Sequence, residues 1–203
     1  MAALGVEPFH AIARATGASV PQIGLALLAA ALRAWNPDLR RHLRVALPIS
    51  LQGRRRRSAL GNHTSLLPVT LPCGEPGAAA RLRHLTAEVG LGRMTRALVG
   101  GRDLAALPAG LAVPGLRLVS PLLRKARPRH LGVTAMRVTE WPGDDAFVVP
   151  VLAPGNAAMV VILHARAAVS FSAVFDAGVA GFAELFDHLG PALAELHAAT
   201  TRA

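Results

Sequence analysis

The sequence predicts an α/β fold, a two-layer sandwich of helices on a mixed β-sheet, in a single domain over residues 1–203. Three observations carry that expectation. Residues 22–35 are apolar nearly all round, the mark of a buried helix. Period-two alternation marks strands at Leu43–Ser50, Ser65–Leu71 and Val169–Phe175. The last twenty-odd residues return to helical spacing. Helices at both ends around mixed strands argue for one layered domain.

Each element has a local reason. Residues 7–16 suit a short helix. Ser19 offers an N-cap and Pro21 falls near the first helical position, where a missing N–H costs nothing. Ile23, Leu25, Leu27, Leu28 and Leu32, padded with alanine, make the buried helix, and Asn36-Pro37 ends it. Leu43–Ser50 reads as a strand with Val45, Leu47 and Ile49 on one side. Gly53 and the arginine run follow as an exposed loop. Ser65–Leu71 reads as a second strand, with Leu67, Val69 and Leu71 sharing a face. Ala78–Leu91 carries Leu82, Leu85 and Val89 at helical spacing, with Arg81 and Glu88 expected toward solvent. Residues 97–129, rich in Gly and Pro, suggest two short helices and a loop. Four strands are expected in the tail: Leu131–Val138, Ala146–Leu152, Ala157–His164 and Val169–Phe175. A closing helix from Val179 to Ala199, kinked at Gly190-Pro191, carries Phe182, Leu185, Phe186, Leu189, Leu193 and Leu196 as its stripe.

Composition bounds the function. Of 203 residues, 52% are hydrophobic and 17% charged, apolar for a free monomer and consistent with a large buried interface. The longest uncharged runs are broken by Pro, Gly and polar residues, so no spanning segment is expected. The start of the chain lacks the basic-then-apolar pattern of a signal peptide, and one cysteine excludes an internal disulfide; a cytoplasmic location follows, with peripheral contact at a membrane or lipid surface left open. The net charge of +10 rests on arginine, with Lys125 the sole lysine. The Ala, Arg, Gly and Pro bias marks a GC-rich coding sequence, which inflates arginine. Aromatics are 4% and tyrosine is absent, so stacking platforms are scarce and no nucleic-acid partner is expected. Attraction to phosphates, acyl-CoA or anionic lipid is as well supported by charge.

Three stretches in order resemble a known family: ASVPQIGLALLAAALRAW (18–35), RVALPISLQGRRRRSALGNHTSLLPVTLP (44–72) and the tail from Leu131 to Leu196. They are similar to the C-terminal domain of bacterial wax ester synthase/diacylglycerol acyltransferases, within the chloramphenicol acetyltransferase-like and condensation-domain superfamily. VALPISLQGR (45–54) resembles the family's strand ending in Pro-hydrophobic-Ser before a basic loop, and Gly61-Asn62 its Gly-Asn signature. LGVTAMRVTEWPG (131–143) falls where the family has a Thr-Asn-Val-Pro-Gly-Pro-like motif, with Thr134 kept and Ala135 in place of Asn. SFSAVFDAGVAGFAELFDHL (170–189) resembles the closing strand and helix, with Asp176 at the turn. Pro21-Gln22 stand where the family has Asn-Asp.

The resemblance implies one half of a chloramphenicol acetyltransferase-like fold and an acyl transfer from acyl-CoA or an acyl carrier to an alcohol-type acceptor. It also implies a base this sequence lacks. The family's HHxxxDG motif is nowhere in it: no two histidines are adjacent and no Asp-Gly dipeptide occurs. No catalytic residue is therefore expected in this chain; the catalytic His would come from an N-terminal acyltransferase half on another chain. Asn62, His63, Thr134 and Arg137 are the substrate-tunnel candidates, and Arg54, Arg55, Arg56 and Arg57 the candidates for docking donor phosphate or a carrier protein, since arginine forks suit phosphate. No cofactor is expected beyond the acyl donor as substrate.

Each candidate has a plainer reading. Asn62 and His63 also suit a loop pair satisfying local backbone groups. His164, in a strand pattern, reads as a replacement base or as an ordinary hydrogen-bonded strand histidine. Asp187 and His188 are neighbours on a helix and point apart. Asp144-Asp145 follow a turn and read as solvated, and His197 is nearly terminal. Cys73 reads as a buried structural thiol. Ser58 and Ser120 lack a nucleophile-elbow context, no cluster shows zinc spacing, and Arg54–Arg57 also suits a solvated loop. Three functions stay open: an incomplete acyltransferase subunit, a non-catalytic degenerate half that stabilises a partner or binds an acyl chain, and a standalone enzyme using His63 or His164.

Overall fold

The computed structural model describes residues 1–39, 42–50, 64–90, 131–138, 147–152 and 155–201. Its elements are β1 (Ala2–Gly5), α1 (Val6–Thr16), α2 (Val20–Trp35), β2 (Leu43–Ser50), β3 (Thr64–Leu71), α3 (Ala78–Glu88), β4 (Leu131–Arg137), β5 (Ala158–His164), β6 (Ala168–Phe175), a 3₁₀ helix (Phe182–His188) and α4 (Leu189–Thr201). A four-stranded mixed sheet runs in the order β1-β6-β5-β4, with β4 and β5 parallel and the other pairs antiparallel. The antiparallel β2-β3 ribbon lies beside β4 as a second, two-stranded sheet. The helices form the other layer, so the architecture is the expected α/β sandwich.

The core is built on α2. Every residue from Ile23 to Leu32 is buried, as the all-round apolar pattern requires. Ala158, Val160 and Ile162 of β5 and Val169 and Phe171 of β6 share the sheet face beneath the helices. Gly24 lets the two layers close: a Cβ there would stand 2.8 Å from Ile162 Cγ2. At the far end of α2 the Trp35 indole N–H donates to the Gly181 carbonyl at 2.8 Å, and its ring meets Phe182 edge-on at 5.3 Å. Gly181 takes a left-handed φ of 69°, open to glycine at little cost. This joint fixes where the 3₁₀ helix begins.

Several expectations are corrected. Arg81 points inward, not to solvent, and is only 3% exposed. Its guanidinium donates to the Glu75 and Pro76 carbonyls at 3.0 and 2.7 Å and pairs with Glu195 of α4 at 3.1 Å. A buried guanidinium is tolerable when its donors are met, and the loop before α3 supplies carbonyls that need them. Glu88 is likewise turned inward, accepting from Thr70 at 3.1 Å and facing His84 at 3.1 Å. Residues 147–152 form no strand; they run as irregular chain across the sheet face away from the helices, where the Ser172 hydroxyl donates to the Val148 carbonyl. Pro150 removes a ladder donor there, which demotes a strand pattern. The closing helix is two elements, a 3₁₀ segment and then α4, with the change at Leu189. Pro191 thus sits in the first turn of α4, where proline is accepted, instead of kinking a longer helix. β1 is an addition, paired to β6 with Ala2 opposite Phe171. The expected helices within 97–129 lie outside the described residues.

Gly24→Ala sets helix propensity, a gain of about 1 kcal/mol, against overpacking of about 1–3 kcal/mol. The overlap partner is a branched core side chain, so overpacking wins, and the expected result is a net loss of about 1 kcal/mol in denaturant unfolding. In an Ile162→Ala background the same change is expected to be neutral or stabilising. Equal losses in both backgrounds would show that Gly24 does not set the layer spacing.

Candidate functional site

Strand β4 carries two of the sequence-derived tunnel candidates. Thr134 is half-buried, opposite Val161 of β5. Arg137 is exposed and pairs in register with His164. They are three residues apart, so strand alternation puts them on opposite faces. Thr134 lies with Val161, Leu163, Ser170 and Ser172, the buried face away from the helices; Arg137 and His164 lie at the rim of the helix-side face. The two therefore do not line one wall. Asn62 and His63, the run Arg54–Arg57, Ser58, Ser120 and Asp144-Asp145 lie outside the described residues.

His164 is the titratable group that sequence reading weighed as a replacement base. Burial, the nearby Arg137 charge and His10 hold its pKa below the ordinary 6.5, so it is neutral at pH 7. Its ring meets His10 edge-to-face at 5.9 Å. A neutral imidazole is a competent proton acceptor, but the groups that perturb this one are basic; no carboxylate among them orients it as in a catalytic dyad. His10 was missed by sequence reading. Nothing local marks it, because its partner is 154 positions along the chain.

The other candidates resolve as structural. Cys73 is fully buried, and burial pushes its thiol up to about 11, the opposite of what a nucleophilic cysteine needs. Asp187 is exposed and His188 half-buried, with no contact to make them a dyad. Asp176 holds its turn, accepting from the Gly178 amide at 2.8 Å. A cleft of about 450 Å³ is lined by Asn156, Asp176 and Val179, and the Asn156 amide donates to Met159 Sδ at 3.0 Å. A second cleft, about 290 Å³, lies between α2 and α4 and is lined by Arg33, Arg81, His188 and Glu195. Its arginines are engaged in structure: Arg33 donates to the Cys73 and Gly74 carbonyls at 3.2 and 3.1 Å, as Arg81 does to the next two. Among the described residues no three His, Cys, Asp or Glu side chains converge for a metal, and no single helix is long and apolar enough to cross a membrane.

Comparison with solved structures places the fold. The chain superimposes over 97% of its length on wax ester synthase/diacylglycerol acyltransferase from Marinobacter aquaeolei VT8, with a TM-score of 0.68 and 17% identity, and covers 47% of that protein. It has the fold of half a condensation-type acyltransferase. The epimerization domain from the third module of tyrocidine synthetase B matches with a TM-score of 0.62 at 14% identity, 99% of this chain covering 48% of that one. The first condensation domain of the calcium-dependent antibiotic synthetase matches at 0.56 and 17%, 98% of this chain covering 44% of that one. The chain thus spans less than half the length of each of these proteins. No family model and no curated protein matches the sequence.

The Cys73 thiol supplies a check on the structural reading. Its pKa rises from an ordinary 9.0 to about 11 in the folded chain, so folding favours the protonated form. The stability it contributes is complete below pH 9 and is lost as pH rises through 11. Wild type is expected to lose about 2–3 kcal/mol over that window relative to Cys73→Ala in paired urea titrations. Rapid reaction of the native thiol with a disulfide reagent at pH 8 would contradict the buried assignment.

Proposed function

We propose that this chain is the C-terminal half of a wax ester synthase/diacylglycerol acyltransferase-like enzyme, with the catalytic histidine brought by a separate N-terminal half carrying HHxxxDG. The observation that carries the reading is the fit of nearly the whole chain to under half of the wax ester synthase, together with a sequence that holds no HHxxxDG. The reaction is acyl transfer from acyl-CoA or an acyl carrier to an alcohol-type acceptor. The acceptor oxygen adds to the thioester carbon while its proton passes to the partner's histidine. The tetrahedral intermediate then expels the thiolate, which takes the proton back. A positioned general base contributes about 10²–10⁴-fold to such a step. This chain would supply the opposite wall of the substrate tunnel, with Thr134 on the buried sheet face, and Asn62, His63 and Arg54–Arg57 are the candidates for acceptor and donor phosphate. A cytoplasmic complex with peripheral contact at a lipid surface suits acyl substrates of this class.

One observation favours a non-catalytic version of the same half. Gln22, where the family carries a carboxylate, is engaged at the start of α2: its side-chain oxygen accepts from the Ser19 amide at 2.7 Å and the Ser19 hydroxyl at 2.9 Å. Ala135 replaces the amide of the neighbouring motif. A half altered in both places would act by stabilising its partner or holding an acyl chain.

Purified alone, the chain is expected to form no ester from acyl-CoA donors with long-chain alcohols or diacylglycerol. Co-purified with an HHxxxDG-bearing half encoded beside it, it is expected to form a stable complex by analytical ultracentrifugation and to turn over. Replacing the second histidine of that motif by Ala should cost at least about 100-fold in rate. Turnover by the isolated chain would sink the split-enzyme reading, and a stable complex without turnover would establish the non-catalytic one.

A further inference from the structure

The rim of the helix-side sheet face gathers basic groups from three elements. The Val6 amide donates to the Ala167 carbonyl at 3.1 Å, which pins the start of α1 to the turn between β5 and β6. One turn further on, that anchor sets His10 against His164, ring to ring at 5.9 Å. Arg137 stands at the carboxyl end of β4, in register with His164 at the carboxyl end of the parallel β5. The Val138 amide donates to the His164 carbonyl at 3.0 Å and holds the two strand ends together.

The groups that act on His164 are basic, and the acid nearest in sequence to His10 is Glu7, exposed one turn before it on α1. Strand β4 brings Arg137 and α1 brings His10; these are the charged and titratable neighbours that act on His164. Glu7 and Arg14, a turn either side of His10, are exposed, and so is Arg166 beyond β5. On the sheet side the neighbours of His164 are apolar, Val169 of β6 and beyond it Leu4 of β1. Burial and the fixed Arg137 charge disfavour the imidazolium of His164, and an anion bound beside it would reverse that effect. Arginine contributes a planar fork matched to an oxyanion, and two imidazoles contribute N–H donors, the more so once protonated.

We propose that His10, Arg137 and His164 form an anion site for a doubly charged phosphoryl group, a phosphate ester or free phosphate, and that a proton is taken up on binding. The proton comes from solvent and goes to a histidine, which the dianion then stabilises as imidazolium. Proton uptake follows from linkage: an anion next to a histidine raises its pKa, so binding is tighter at lower pH. The site needs nothing from a partner half and does not depend on the acyltransferase reading.

The test uses the intact chain with inorganic phosphate, coenzyme A and sulfate as probes. Sulfate keeps its two charges across the pH range and so isolates the histidines. Titration followed by histidine NMR is expected to shift the ring signals of His10 and His164 together. Calorimetry in two buffers of different ionisation enthalpy should show net proton uptake. Sulfate affinity should fall by up to about tenfold per pH unit above the histidine pKa. Arg137→Gln, at an exposed position, should weaken all three probes at least fivefold without altering the unfolding midpoint, and His10→Asn should remove part of the proton uptake. Coenzyme A binding more tightly than inorganic phosphate marks a phosphate ester as the ligand, and the reverse marks free phosphate. Unmoved His10 and His164 signals at millimolar probe, or equal affinity in Arg137→Gln, would overturn the proposal.

Discussion

The closure of α2 onto the sheet at Gly24 and Ile162 is the contact on which the other layers depend. A helix buried on every side has no solvent face to rotate outward, so its neighbours are fixed in place around it. The sheet lies below it, the 3₁₀ helix and α4 pack along it, and α3 flanks it. Its two ends are fixed by different means. At the N-terminus Gln22 folds back on Ser19; at the C-terminus Trp35 reaches Gly181 and Arg33 reaches the carbonyls after β3. Arg81 continues that carbonyl bracket, so two arginines hold the whole turn from Cys73 to Pro76. Most of the fixing strength of Arg81 lies in those carbonyls, because its ion-pair partner Glu195 is 54% exposed and an exposed pair is worth at most about 1 kcal/mol.

The sheet is apolar on both faces. Val160 and Ile162 meet the helices, while Val161 and Leu163 are buried on the other side, where Ser170 and Ser172 are buried too. A continuous apolar strand belongs in a sheet covered on both sides. The segment over the second face carries Val149 and Val151, exposed at 69% and 86%, two large apolar side chains facing water. The chain as a whole is 52% hydrophobic.

Legibility followed the range of the interactions. Elements set by local pattern were readable from the sequence: α2 from unbroken apolarity, β2, β3 and β6 from alternation, β5 from an apolar run bounded by turn signals. Elements set by distant partners were not. β1 is four residues long and exists because β6 offers it an edge. Arg81 looked like a solvent residue because periodicity cannot show that a loop upstream presents carbonyls to it. Residues 147–152 had the composition of a strand but no ladder, a matter of pairing and of Pro150. The site was legible only in part. Thr134 and Arg137 were found by resemblance to a motif, yet strand alternation, itself readable, sets them on opposite faces. His10 could be found only from the fold.

Among the described residues, neither Cys73 nor His164 has the surroundings of a poised nucleophile or base. A nucleophile or base works when it is partly desolvated, oriented and poised near the working pH. Cys73 is desolvated past that point, its thiol held near 11. His164 is poised on the correct side, neutral at pH 7, but what surrounds it is His10 and Arg137. Burial and the Arg137 charge disfavour its imidazolium. An anion reverses that sign. On the proposed anion site, the same surroundings that disfavour its imidazolium would turn His164 into a donor once a phosphoryl group is bound.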